Sequence, residues 1–71
     1  MALRVPGSAV IRRGQMEIVF VAAGGRAHLR LVKTGKRMGD EVELVSGLEA
    51  GERVALDGVA GLTDGQRVEE R

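Results

Sequence analysis

The side chains able to do chemistry in this chain are few and scattered. His28 is its one histidine, and no cysteine is present. A nucleophilic relay needs three groups that can meet, and only Ser8 and Ser46, beside Thr34 and Thr63, supply hydroxyls. No carboxylate clusters around His28, so the histidine reads as a strand surface residue and no catalysis is expected. Met1, Met16 and Met38 are soft donors that with His28 suit a soft metal. Met1 stands at the initiator position, however, and Met16 reads as a core residue, which leaves too few ligands. The methionines are therefore read as gap-fillers, and no metal or cofactor is expected.

Glu41, Glu43, Glu49 and Glu52 invite a paired-carboxylate reading. Glu41 and Glu43 flank Val42, however, in the polar-out alternation of an ordinary strand. The glycines form neither Gly-x-Gly-x-x-Gly nor Gly-x4-Gly-Lys-Ser/Thr, and no helix follows to lend its N-terminus to a phosphate. Thr34-Gly35-Lys36 reads as a turn. Arg12-Arg13, just before a turn at Gly14, is a modest basic spot that suits solubility or an acidic partner surface.

Composition narrows the classes further. Seventy-one residues make a single domain, 1–71, with residues 1–8 as an extended lead-in because Pro6 disfavours helix at Val5. Such a chain buries only about 60% of its unfolded surface. With one phenylalanine as its sole aromatic, the core must be aliphatic. That is thin for an autonomous domain and points to a piece of a larger protein. Eleven basic residues balance ten acidic ones, and the signs are interspersed. A nucleic-acid binder usually shows a basic excess with stacking aromatics, so nucleic acid is not an expected partner. There is no run of about 20 apolar residues to span a membrane. Met1-Ala2 leads into Leu3-Arg4-Val5 without a secretion signal, so the targeting segment of an exported parent is expected outside this chain.

The elements that position these residues are strands. Eleven glycines punctuate short runs of Val, Leu and Ile. No stretch sustains the helical i, i+3, i+4, i+7 pattern. The predicted fold is all-β, a small roll or barrel of about six short, mainly antiparallel strands. They fall at Ala9–Arg12, Met16–Ala23, Arg26–Thr34, Glu41–Ser46, Arg53–Leu56 and Gln66–Glu69. Gly24-Gly25 supplies the positive φ of a two-residue hairpin loop. That loop pairs Ala22 with Ala27, Phe20 with Leu29 and Ile18 with Leu31 on a core face. On the other face Val21 meets His28, Val19 meets Arg30 and Glu17 meets Val32, a mixed surface that is partly covered or open to a partner. One device occurs twice: Gly47-Leu48-Glu49-Ala50-Gly51-Glu52-Arg53-Val54 returns as Gly61-Leu62-Thr63-Asp64-Gly65-Gln66-Arg67-Val68. Leucine should return to the core, the second glycine should take positive φ in a turn, arginine should face water and valine should face in.

In order along the chain, Val5-Pro6-x-x-Ala9-Val10, Val19-Phe20-Val21, Gly25-x-Ala27 and Val32-x-x-Gly35 are followed by Val42-x-Leu44-x-x-Gly47-Leu48-x-x-Gly51-Glu52-x-Val54, Gly58 and Leu62-x-Asp64-Gly65-x-x-Val68. This string resembles the C-terminal part of periplasmic adaptor subunits, the membrane fusion proteins of tripartite efflux pumps, chiefly of the resistance-nodulation-division class. The resemblance covers nearly the whole chain after Leu3. It implies a membrane-proximal β-roll with no chemistry of its own, which packs against an inner-membrane efflux transporter in the periplasm and meets neighbouring adaptor protomers in a ring. It also implies a strand borrowed from the adaptor's N-terminal segment. Without that strand an edge should stand unpaired, and the isolated chain is expected to self-associate or exchange strands. Arg12, Arg13, His28 and Arg30 are the expected partner-binding residues, chosen for expected exposure and positive charge. The alternative is a metal-efflux adaptor or metal-binding module using His28 with Met16 and Met38.

Overall fold

The computed structural model describes residues 3–56 and 61–68. Met1, Gly58 and Glu69, which the sequence reading used, lie outside the described residues. The chain is all-β, as its glycine spacing predicts, with strands β1 (Leu3–Pro6), β2 (Ile11–Arg13), β3 (Met16–Ala23), β4 (Arg26–Leu31), β5 (Lys33–Met38), β6 (Glu41–Ser46) and β7 (Arg53–Val54). A 3-10 turn at Gly7–Ala9 separates β1 from β2. All the strand pairings are antiparallel. One sheet has the order β1-β6-β5, and the other the order β2-β3-β4 with β7 also against β3.

β3 organises the rest. It gives one edge to β4, from Ile18 opposite Leu31 to Ala23 opposite Arg26, which is the register that Gly24-Gly25 dictates. Its other edge is divided, β2 taking Met16 to Ile18 and β7 taking Val21 and Ala22. Ile18-Val19-Phe20-Val21 is a continuous apolar run, so neither face of this strand can be left to water. Val19 and Val21 point to the first sheet and pack with Val5, Ala9, Val42 and Leu44. Ile18 and Phe20 point the other way and pack with Ala27 and Leu62. Val19 and Phe20 are 0% exposed and Ile18 is 1% exposed. Each such burial is worth about 1.5–3 kcal/mol. The mixed face of the hairpin is thus closed by the first sheet around its valines.

The repeated octapeptide serves both cores. In copy one, Glu52 N–H donates to the Glu49 carbonyl at 3.2 Å, and in copy two Gln66 N–H donates to the Thr63 carbonyl at 3.1 Å. The same two side chains reach back: Glu52 Oε1 accepts from Glu49 N–H at 2.8 Å, and Gln66 Oε1 from Thr63 N–H at 3.1 Å. Gly51 and Gly65, third in each turn, take φ of 90° and 84°, as a type II turn requires. Leu48 and Val54 then pack on the core between the sheets. Leu62 and Val68 do the same on the opposite core, Leu62 within it and Val68 against it.

The structure departs from the sequence reading in several places. The run predicted as one strand, Arg26–Thr34, breaks at Val32, and its two parts join different sheets. Val32 N–H donates to the Glu17 carbonyl at 2.9 Å, and the side chain packs on the inter-sheet core as the chain crosses over. Thr34-Gly35-Lys36 is no turn but lies within β5, where the register slips between Thr34 and Arg37. The turn is Gly39-Asp40, with Met38 opposite Glu41 and Gly39 at φ 59° as a II′ loop demands. The lead-in contains a strand: Leu3–Pro6 pairs with Leu44–Glu41 of β6, and Val5 is buried. Ala9 is buried in the 3-10 turn, so its strand begins at Ile11. The strand expected over Arg53–Leu56 shortens to Arg53–Val54, and that expected over Gln66–Glu69 reduces to a bridge between Arg67 and Arg26. Met16, expected in the core, is 52% exposed.

The two copies of the repeat differ at their first glycine. Gly47 has φ 99°, and a Cβ there would press on the Leu31 carbonyl oxygen and come within 2.8 Å of the Val32 Cα. Gly61 has open space around it and no positive φ. Gly47→Ala should therefore lower the unfolding free energy by about 3 kcal/mol. Gly61→Ala should change it by less than about 0.5 kcal/mol. Urea denaturation of the two variants measures the difference, and equal midpoints would contradict this account of Gly47.

Candidate functional site

Paired residues in an antiparallel sheet share a face. Arg12 stands opposite Glu17, Arg30 opposite Val19 and His28 opposite Val21, so these three side chains lie on the face of the second sheet that meets the first. Arg13 stands opposite Met16 and lies on the reverse face. Arg12, Arg13 and His28 are exposed. His28 Nε2 is 3.1 Å from the Ala23 carbonyl oxygen, within hydrogen-bond reach at the hairpin end.

Arg30 is half-buried and engaged inside the molecule. Its Nη1 and Nη2 donate to Glu52 Oε1 and Oε2 at 2.8 and 2.9 Å, and Nη1 also donates to the Gly47 carbonyl at 3.2 Å. This bidentate fork fastens the loop between β6 and β7 onto β4. The Arg30 hydrogen bond, reinforced by the Glu49 N–H, holds the Glu52 carboxyl below the usual glutamate range, with partial burial opposing. The same bond to Glu52 raises Arg30 further above its already high value.

A second polar node joins the sheets at Glu17. Thr34 of β5 donates its hydroxyl to Glu17 Oε2 at 2.8 Å and its N–H to Oε1 at 3.4 Å. Arg12 Nη2 donates to Oε2 at 3.0 Å, and the Arg12 side chain remains 75% exposed. The Thr34 hydroxyl is the main reason that the Glu17 carboxyl lies below its ordinary range. Glu17 and Thr34 border a cleft of about 290 Å³ between the sheets, flanked by Arg12 and Arg37 with Val10 and Val42 also lining it. Arg37 belongs to the inner side of β5, paired with Val42. Sequence reasoning missed Arg37 because the preceding tripeptide looked like a turn. The dipeptide Gly39-Asp40, followed by the alternation of Glu41–Ser46, was the signal that would have placed it on a strand.

The residues of the alternative metal reading do not converge. Met16 and His28 lie on opposite faces of the second sheet. His28 is level with Val21, five positions along β3 from Met16, on the order of 16 Å away at strand rise. Met38 belongs to the other sheet, beside the Gly39-Asp40 turn. Among the described residues no cluster of three or more His, Cys, Asp or Glu side chains is placed to hold a metal ion.

Two short antiparallel sheets, the second centred on β3, and turn-rich connections make a small β domain consistent with an SH3-like β-roll. The chain belongs to the family described as YknX, C-terminal permuted SH3-like domain, which matches residues 2–70. That family is of the membrane fusion or efflux adaptor type. No curated protein matches the chain. Among the described residues no helix is long and apolar enough to cross a membrane.

The repeat supplies its own control for the ion pair. Gln66 makes in copy two the backbone bond that Glu52 makes in copy one, without charge. Glu52→Gln should therefore keep the turn and lose only the ionic contact to Arg30. A carboxyl held low in the folded state adds stability above the unfolded glutamate value near 4.3, and that stability is lost as pH falls through the lower folded value. The wild-type chain should lose stability on acidification from about pH 5 downward more steeply than Glu52→Gln. Thermal unfolding across that range measures it, and parallel acid limbs would contradict the assignment.

Proposed function

We propose that the domain is a non-catalytic adaptor module of a tripartite efflux system. It docks the adaptor onto the inner-membrane transporter in the periplasm, close to the membrane, with neighbouring adaptor protomers as its other partners. The transporter is of the resistance-nodulation-division class, and the function served is multidrug efflux. The observation that carries this reading is the match of residues 2–70 to an adaptor-type family.

Arg12, Arg13 and His28, all exposed, are the proposed contact residues, Arg12 and His28 on one face of the second sheet and Arg13 on the other. Arg30, on the same face as Arg12 and His28, fixes the Gly47–Glu52 loop beside them. Rim charges of this kind steer a partner more than they anchor it. In the complete adaptor, combined substitution of Arg12, Arg13 and His28 by glutamate should weaken recovery of the transporter by about tenfold, equivalent to 1.4 kcal/mol. Efflux should fall while adaptor expression is unchanged. Co-purification and drug-susceptibility measurements test this together. Undiminished transporter recovery and efflux would remove these residues from the interface.

A further inference from the structure

The cleft between the sheets holds more cationic capacity than the protein itself uses. Its one carboxylate, Glu17, is already satisfied by the Thr34 hydroxyl and N–H and by one Arg12 nitrogen. Arg12 spends a single nitrogen on that contact, and a guanidinium carries five N–H donors. Across the cleft, Arg37 makes no hydrogen bond or ion pair among the described residues. Arg37 is exposed, and its guanidinium lies beside the 3-10 turn, where a Cβ on Gly7 would come within 3.2 Å of Arg37 Nη2.

We propose that this cleft is a receptor for a single carboxylate side chain, an aspartate or glutamate presented by a protein partner, held between Arg12 and Arg37. Two guanidinium groups against one carboxylate leave the cleft with one net positive charge, which matches a monoanion. Val10 and Val42 offer an apolar lining for the methylenes of an acidic side chain. Planar guanidinium forks suit carboxylate geometry. Glu17 serves as a positioning residue, because it turns Arg12 toward the cleft and fixes Thr34 across from it. The proposal deepens the docking reading by naming the chemistry recognised, and rests on that reading only for the partner's identity.

A titration of the isotope-labelled 71-residue chain separates the two. The probes are N-acetylglutamate amide, N-acetylglutamine amide, inorganic phosphate and phosphatidylglycerol vesicles. The Gly7 and Thr34 amides and the Arg12 and Arg37 side-chain Nε–H resonances should shift with the glutamate probe and saturate. The glutamine probe should move them at least fivefold less, and added salt should weaken the response. Arg37→Gln should weaken glutamate binding at least fivefold while its amide spectrum stays that of the folded chain. Arg37→Lys, which keeps charge but loses the fork, should fall between. Equal shifts with glutamate and glutamine, no saturation, or stronger binding of phosphate or vesicles would overturn the proposal. The transporter is absent from this titration, so its outcome is independent of whether the adaptor docks as proposed.

Discussion

A strand whose residues Ile18, Val19, Phe20 and Val21 are all apolar has no side to give to water. That constraint fixes the architecture. One face of β3 calls for a second sheet, and the order β1-β6-β5 supplies it. The other face calls for a cover too, and the segment around Leu62 and Val68 provides it. With so few residues available, one strand acting as wall to two small cores makes the most of a limited aliphatic complement. The duplicated turn follows from the same need, because each core requires a chain reversal that delivers a leucine and a valine to it.

The polar contacts keep the layers in register. Glu17 leaves β3 on the inter-sheet side and is met by Thr34 from the first sheet. Arg30 leaves β4 on that side and is met by Glu52 from the loop before β7. Both pairs sit at the margin of the apolar core, where charge-assisted bonds cost little desolvation and fix geometry. Arg12, one of the proposed contact residues, belongs to the Glu17 joint through its hydrogen bond to that carboxylate.

Local signals were legible in the sequence, and long-range ones were not. Gly24-Gly25 sets the β3–β4 register without help from distant residues, and the six expected pairings stand, five in the strand register and Glu17 with Val32 through a backbone bond. The repeat likewise encodes its turn, its inward leucine and its inward valine within eight positions. The break at Val32 was hidden, because alternation runs straight through Arg26–Thr34 and only the meeting with Glu17 decides where the chain changes sheet. Leu3–Pro6 is too short to announce a strand, and its pairing with β6 lies far away in sequence. Arg30 looked like a surface cation for a related reason: its partner Glu52 lies 22 residues on.

Amide hydrogen exchange tests the shared-wall account most directly. If β3 supports both cores, the amides of Val19 to Ala22 exchange only through global unfolding, with protection equal to the full unfolding free energy. Those of β5, at the edge of its sheet and bulged beside Gly35, exchange faster through local opening. Protection greater in the β1-β6-β5 sheet than in β3, or loss of protection on β3 by local fraying, would contradict it.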